Sequence, residues 1–294
     1  MIRNIRHLFW VKVRSRFARQ YHIGGHELTL PPRHTLDWFR ARHPRYDKPL
    51  EDISKIICDE RGFVLSIDIG ANIGDTAAIL LKNDDSAVLC VEGNIKFIDL
   101  LQENVVRICR GAEFEFVYAG AGDGAIAALV ETKDGTARVV PVGKGEAGEV
   151  LVVSLDEIVR RHARFAEAHI VKIDTDGFDA DVIESGREFL RGKKPIVYFE
   201  MDPCQANSSI EKWRVTWSQL RACGYDVFNI FDNFGTHIMQ ITGDQVVLVD
   251  QLLRYAVSNR QLPRPSLFYY DVCAFSQENR HISNLLAMRS SCNK

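Results

Sequence analysis

Five short stretches of the chain place carboxylates beside glycines or turn-forming residues. They are Asp68-Ile-Gly-Ala-Asn-Ile-Gly74, Glu92-Gly-Asn94, Gly120-Ala-Gly-Asp123, Asp174-Thr-Asp-Gly177 and Glu200-Met-Asp202. Each follows an apolar run, and charge at the rim of a buried strand is costly unless it has a partner. In the first stretch, Gly70 and Gly74 let the backbone turn tightly and approach a ligand with no Cβ in the way. A dinucleotide-binding turn would carry glycines at positions 70, 72 and 75, whereas Asn72 and Asp75 stand at the last two.

Asp68 before the first glycine and Asp75 near the start of the following helix would repel a pyrophosphate. They suit a ligand that carries an ammonium and a sulfonium, which favours S-adenosylmethionine over NAD. Glu92 lies 24 positions after Asp68, where a carboxylate can accept both hydroxyls of a ribose. It also stands where it would stabilise the start of the next helix. Asp123 is placed to accept a hydrogen bond from an adenine amino group, or to make a turn ahead of Gly124.

These stretches need elements to hold them. Apolar runs at Val64–Ile69, Ala87–Val91, Phe114–Ala119, Ile170–Asp174, Ile196–Glu200 and Val227–Phe231 are predicted strands. Helices are predicted over Thr76–Lys82, Lys96–Cys109, Ser154–Phe165, Asp179–Arg191 and Glu211–Cys223. Ser154 and Glu157 have capping-box spacing. Strand and helix in alternation predict an α/β fold with a doubly wound, mostly parallel sheet. Its ligands bind at the carboxyl ends of the strands, where all five carboxylate stretches fall. The glycine-rich segment Asp123–Val150 predicts a β-hairpin excursion. Beyond it, His237–Thr242 and Leu267–Phe275 read as strands and Gln245–Asn259 as helix or strand. Tyr269-Tyr270-Asp271 reads as an edge strand.

The pattern resembles the FkbM-type S-adenosylmethionine-dependent methyltransferases. The matching pieces are Ile67-Asp-Ile-Gly-Ala-Asn-Ile-Gly-Asp75, Val91-Glu-Gly-Asn94, Val153-Ser-Leu-Asp-Glu-Ile158, Val171-Lys-Ile-Asp-Thr-Asp-Gly177 and Val197-Tyr-Phe-Glu200. The resemblance runs from about residue 64 to 275, with weaker echoes in Leu30-Pro-Pro and His43-Pro. Two positions depart from the family pattern: Gly93 where proline is usual, and Asp176 where glutamate is usual. The resemblance implies a class I, Rossmann-like fold and methylation of a hydroxyl on a sugar, glycan or natural product.

On this reading Asp68, Gly70, Asn72, Gly74, Glu92, Asn94 and Asp123 hold the cofactor. Asp174 is the expected base for the acceptor hydroxyl, with Asp176 and Glu200 as alternates. Lys172, two positions earlier on the strand, shares the face of Asp174. Paired carboxylates there would also suit a divalent metal, which the reading does not require, and no residue is assigned as a metal ligand. A nucleotide-dependent oxidoreductase and a non-catalytic nucleoside-binding domain are the rival readings. Trp213 and Trp217, four apart on one helix face, suit either a sugar ring or core packing. His26 and His34 are candidates for a lid.

Composition narrows the classes. Of 294 residues 46% are hydrophobic and 26% charged, which excludes wholesale disorder. No apolar run approaches the ~18 residues of a spanning helix. The net charge of -2 hides an asymmetry. Residues 1–48 carry 11 Lys and Arg against 3 Asp and Glu, and the remainder is acidic. An acidic body argues against nucleic acid as a partner. In the basic start, Ile2, Ile5, Phe9, Val13 and Phe17 form a helical stripe flanked by arginines. That stripe fits a helix resting on anionic lipid through residues 1–20, or a helix docked on its own domain. The seven cysteines are scattered, with no C-x-x-C pair, as reduced thiols in a cytoplasmic protein are. The expected division is an N-terminal helical extension at 1–60 packing on or near the active site, a methyltransferase domain at 61–276 and a tail at 277–294.

Overall fold

The computed structural model describes residues 17–120, 125–131, 137–141, 149–205 and 207–292, with backbone alone for the strands between 125 and 150. Residues 1–16, which hold most of the basic stripe, and Asp123 lie outside it. The described chain enters through an antiparallel hairpin, β1 (Arg19–Ile23) and β2 (His26–Leu30). Helices α1 (Leu36–Arg42) and α2 (Lys48–Arg61) follow. In α2, Leu50, Ile53, Ile56 and Ile57 recur at helical spacing and are buried, so the helix is held by its apolar face.

The main sheet then begins: β3 (Leu65–Ile69), α3 (Asp75–Leu80), β4 (Ala87–Val91), α4 (Ile95–Ile108) and β5 (Glu113–Glu115). The chain leaves it for a smaller sheet made of β6 (Tyr118–Ala119), β7 (Ala125–Glu131), β8 (Ala137–Pro141) and β9 (Glu149–Val153). It returns through α5 (Leu155–Arg161), β10 (Ile170–Ile173), α6 (Asp179–Ser185), α7 (Arg187–Lys193) and β11 (Ile196–Met201). Last come α8 (Ile210–Ala222), β12 (Tyr225–Asp232), β13 (His237–Thr242), α9 (Val246–Arg260), β14 (Tyr270–Ser276) and α10 (Arg280–Cys292).

The eight strands of the main sheet lie in the order β13-β12-β14-β11-β10-β3-β4-β5. The five from β11 to β5 are parallel, and β14, β12 and β13 are antiparallel to their neighbours. Every residue of β3, β4 and β10 is buried, the signature of parallel strands covered on both faces. Helices α5 to α9 cover one face, and the hairpin with α2, α3, α4 and α10 covers the other. The expected doubly wound α/β sheet is present. The predicted hairpin excursion is β7 paired antiparallel with β8.

Several elements differ from expectation, each for a local reason. The predicted strand Phe114–Ala119 is two strands, because the chain crosses from β5 in the main sheet to β6 in the small one. The predicted helix Asp179–Arg191 is interrupted at Gly186. Ser154 caps α5, accepting from the Glu157 amide at 3.1 Å, but the helix ends at Arg161 and a tighter turn spans Ala163–Glu167. Tyr270 and Asp271 are not at an edge, since β14 inserts between β11 and β12. Trp213 and Trp217 are each 2% exposed. They stack on Phe199 and Phe228 at centroid distances of 5.6 and 3.9 Å, so they pack the core.

Candidate functional site

The carboxyl ends of β3, β4, β10 and β11 open into one cavity of about 920 Å³. Gly70, Asn72, Glu92, Asn94, Lys172, Asp174, Asp176 and Glu200 all line it, so most of the residues singled out by sequence meet in one place. Gly70 closes the turn at φ +74, and a Cβ there would lie 1.8 Å from the Asp174 carbonyl oxygen. The turn after β3 and the end of β10 touch through this glycine, and an alanine would force them apart. Gly74 instead starts α3 against Val105 and Leu101 of α4. It does not face the cavity.

Asp68 sits beneath the turn rather than in the opening. It is fully buried, accepts from the Thr76 hydroxyl at 2.6 Å and lies 3.2 Å from the Lys172 ammonium. Lys172, 3% exposed, also donates to the Gly70 carbonyl at 3.0 Å and stands 3.6 Å from Asp174 Oδ2. Burial alone would lower its pKa, but Asp68, Asp174 and Asp75 outweigh that and hold it above the ordinary lysine range. One lysine therefore ties the glycine turn to the carboxylate at the end of β10.

At the β4 end, Glu92 accepts from the Asn72 amide at 2.9 Å and the Asn94 amide at 2.7 Å. Burial raises its pKa even so, because it outweighs those two donors. Asn94 caps α4, its side chain accepting from the Lys96 amide at 3.1 Å. The ring of Tyr118 lies against Gly93, where a Cβ would meet it at 2.4 Å. That contact accounts for glycine at a position where the family usually has proline. Asn72 Oδ1 and the Tyr118 hydroxyl are buried on the wall of this end with no hydrogen-bond partner. Buried polar atoms of this kind await a partner. Together with the Glu92 carboxylate, they fit the hydroxyls and base of a nucleoside.

The β10–β11 end is crowded with acids. Asp174 has a side-chain exposure of 47% and opens to the cavity. The walls around Asp176 push its carboxyl up to about 6, and the neighbouring Asp174 adds to the rise. Asp179 accepts from Thr175 and from the Glu200 amide, bridging the two strand ends. Burial pushes it up to about 7. Glu200 is raised well above the usual carboxyl range by burial and then by Asp174 and Asp179. Among the described residues no group of His, Cys, Asp and Glu has the arrangement of a metal site.

Tyr46, Asp47, Lys212 and Arg260 also line the cavity, with no sequence signal to mark them. Asp47 sits just before α2, held by Arg40 at 2.8 Å, with burial pushing its carboxyl up to about 7. Lys212 pairs with Asp181 at 2.6 Å and Arg260 with Asp202 at 2.8 Å. His34 does line the opening, whereas His26 turns toward the Leu81 carbonyl at 3.3 Å. Asp75 lines it too, its pKa raised by burial.

An open sheet of this order, with its crevice above the strand ends and a glycine turn between two acids, defines a Rossmann-like α/β fold of the class I methyltransferase kind. Residues 68–227 match the Methyltransferase FkbM domain. The match spans more than half of the chain, and the chain belongs to that family. No curated protein sequence matches significantly. Among solved structures, the chain is similar to methyltransferase FkbM from Methylobacillus flagellatus KT at 11% identity and a TM-score of 0.45. That comparison covers 82% of this chain and 59% of the other, so the chain spans under two thirds of that relative. The plantazolicin methyltransferase BamL, solved with a triazolic desmethylPZN analog and SAH, is 10% identical over 81% of this chain and 88% of its own, at a TM-score of 0.43. Fibrillarin from Aeropyrum pernix, solved with natively bound S-adenosyl-L-methionine, is 11% identical over 72% and 66%, at a TM-score of 0.39.

Proposed function

We propose that the chain is an S-adenosylmethionine-dependent O-methyltransferase acting on a hydroxyl of a sugar, glycan or natural product. The observation that carries this reading is the acid-lined cavity at the strand ends, with Glu92 and the unpartnered Asn72 and Tyr118 oxygens at one end and Asp174 at the other. Glu92, Asn72, Asn94 and Tyr118 would hold the nucleoside, and the turn at Gly70 would carry the methionine part. When bound, S-adenosylmethionine supplies an electrophilic methyl group for an acceptor oxygen. Asp174 takes the proton that the hydroxyl loses, with Asp176 and Glu200 beside it. Lys172 fixes Asp174 relative to the turn. Residues 1–60 contribute His34, Tyr46 and Asp47 to the wall, which fits an extension that packs on a domain at 61–276. Six described cysteines are free thiols, in keeping with a reducing cytoplasm. No described helix is long and apolar enough to cross a membrane.

Calorimetry is expected to register S-adenosylhomocysteine binding and no NAD binding, and the reverse result would remove the proposal. Glu92→Ala should weaken S-adenosylhomocysteine by about 1.5–3 kcal/mol for each charge-assisted hydrogen bond lost. An unchanged affinity in a variant of unchanged melting temperature would take Glu92 out of the nucleoside site.

The acids also make cofactor charge a pH-dependent matter. Asp176, with its carboxyl at about 6, is neutral well below that pH and anionic above it. The sulfonium form should therefore gain on the neutral S-adenosylhomocysteine as pH rises from about 5 to 7. Asp176→Asn should flatten that rise. A ratio of the two dissociation constants that does not change with pH in the wild type would contradict this arrangement.

A further inference from the structure

Glu200 and Asp271 lie opposite one another on antiparallel β11 and β14. Both strands are on the far side of β10 from the glycine turn. Residues in that register share a face, with Cβ atoms roughly 4.5–5.5 Å apart. Both carboxyls line the cavity. Among the described residues, no hydrogen bond and no Lys or Arg reaches the carboxyl of Glu200, which is half-buried. Among the described residues no Lys or Arg pairs with Asp271, and the nearby Tyr198 hydroxyl only tempers the rise of its pKa. The Lys and Arg side chains lining the cavity are committed elsewhere: Lys172 to Asp68 and Asp174, Lys212 to Asp181, Arg260 to Asp202. The cavity thus matches each of its own cations with an acid and, among the described residues, leaves Asp75, Glu92, Asp176, Glu200 and Asp271 without one; of these, Glu200 and Asp271 face each other across paired strands.

A second feature points the same way. Tyr46 and Tyr269 also line the cavity, within electrostatic reach of Asp271, and aromatic faces attract ammonium groups by their quadrupoles. A half-buried pair of unmatched carboxyls beside aromatic rings suits a cation better than a neutral hydroxyl. Both stand beyond β10 from the Gly70 turn, so a cofactor held by that turn leaves them to the acceptor.

We propose that Glu200 and Asp271 bind a protonated amine on the methyl acceptor, so that the acceptor is an amino-bearing polyol such as an amino sugar unit. The assignment rests on the methyltransferase reading and names the substrate class of that same cavity. Burial raises both carboxyls well above their ordinary range. An ammonium between them favours the ionised form, so its arrival releases the proton that a carboxyl carries. A neutral sugar would displace none.

The test is a calorimetric titration of the protein saturated with S-adenosylhomocysteine, using glucosamine and glucose at about pH 6.5, where the amine is protonated. Two buffers of different ionisation heat read the proton. Glucosamine is expected to bind at least about tenfold tighter than glucose, with net proton release. Glu200→Gln combined with Asp271→Asn should erase that preference, and its retained binding of S-adenosylhomocysteine would report an intact fold. Equal affinities, no measurable binding of either sugar, or a preference that survives the double substitution overturns the assignment. Failure of S-adenosylhomocysteine itself to bind the wild type would sink the methyltransferase reading instead.

Discussion

Asp174→Asn should bind S-adenosylhomocysteine as tightly as the wild type and transfer methyl about 10² to 10⁴ times more slowly, the usual contribution of a positioned general base. The separation of effects follows from where the residue sits. Glu92, Asn72 and Tyr118, which would hold the nucleoside, are above β4 and the turn after β3, whereas Asp174 leaves the end of β10 with its side chain 47% exposed in the cavity. Asparagine has the same shape and still meets the Lys172 ammonium through its oxygen, 3.6 Å away in the native pair. It cannot accept a proton. The measurement is transfer from methyl-labelled cofactor to products in an extract of the native cell, beside calorimetry of the cofactor product. Full labelling by the variant discards the assignment. Should the loss follow Asp176→Asn instead, the base is that neighbouring carboxyl.

Much of this site could be read along the chain because buried parallel strands are unusually plain in sequence. Ala87–Val91 is five apolar residues between polar ones, and its observed bounds are the predicted ones. A strand end that must bear a carboxylate then stands out, as Glu92, Asp174 and Glu200 do. What could not be read is which residues meet across the fold. Asp68 has the appearance of a ligand-binding acid, yet its register with Lys172 on the neighbouring β10 makes it the counter-ion of a buried lysine. That pairing depends on β10 crossing over to lie beside β3, some hundred residues distant. Tyr46 and Asp47 reach the cavity from a turn whose local sequence gives no hint of it. Asp271 reads as an edge residue because a late strand usually ends a sheet. Here it is carried into the interior by the insertion of β14. Gly93 looks like a neutral departure until Tyr118, from the crossing between the two sheets, is seen to occupy the space beside it.

Lys172→Met is expected to be the most destabilising single change at the site. Lys172 and Asp68 are 3% and 0% exposed and sit side by side on adjacent strands. Methionine keeps the stem volume, so no large cavity opens. It leaves Asp68 as a buried acid with only the Thr76 hydroxyl to meet it. Removing one partner of a buried pair costs about 3–5 kcal/mol, a large share of the ~5–15 kcal/mol by which a domain is ordinarily stable. Asp68→Asn should cost less, because the lysine keeps Asp174 and the Gly70 carbonyl. Combining the two substitutions should recover part of the loss, since the uncompensated acid is then gone. Denaturant unfolding of the three variants reads these differences directly. A Lys172→Met protein as stable as the wild type would show that the Lys172–Asp68 pair does not hold the fold together. The lysine would then be there for the reaction alone, holding Asp174 against the Gly70 turn, and the variant's defect would appear in turnover with no change in melting temperature.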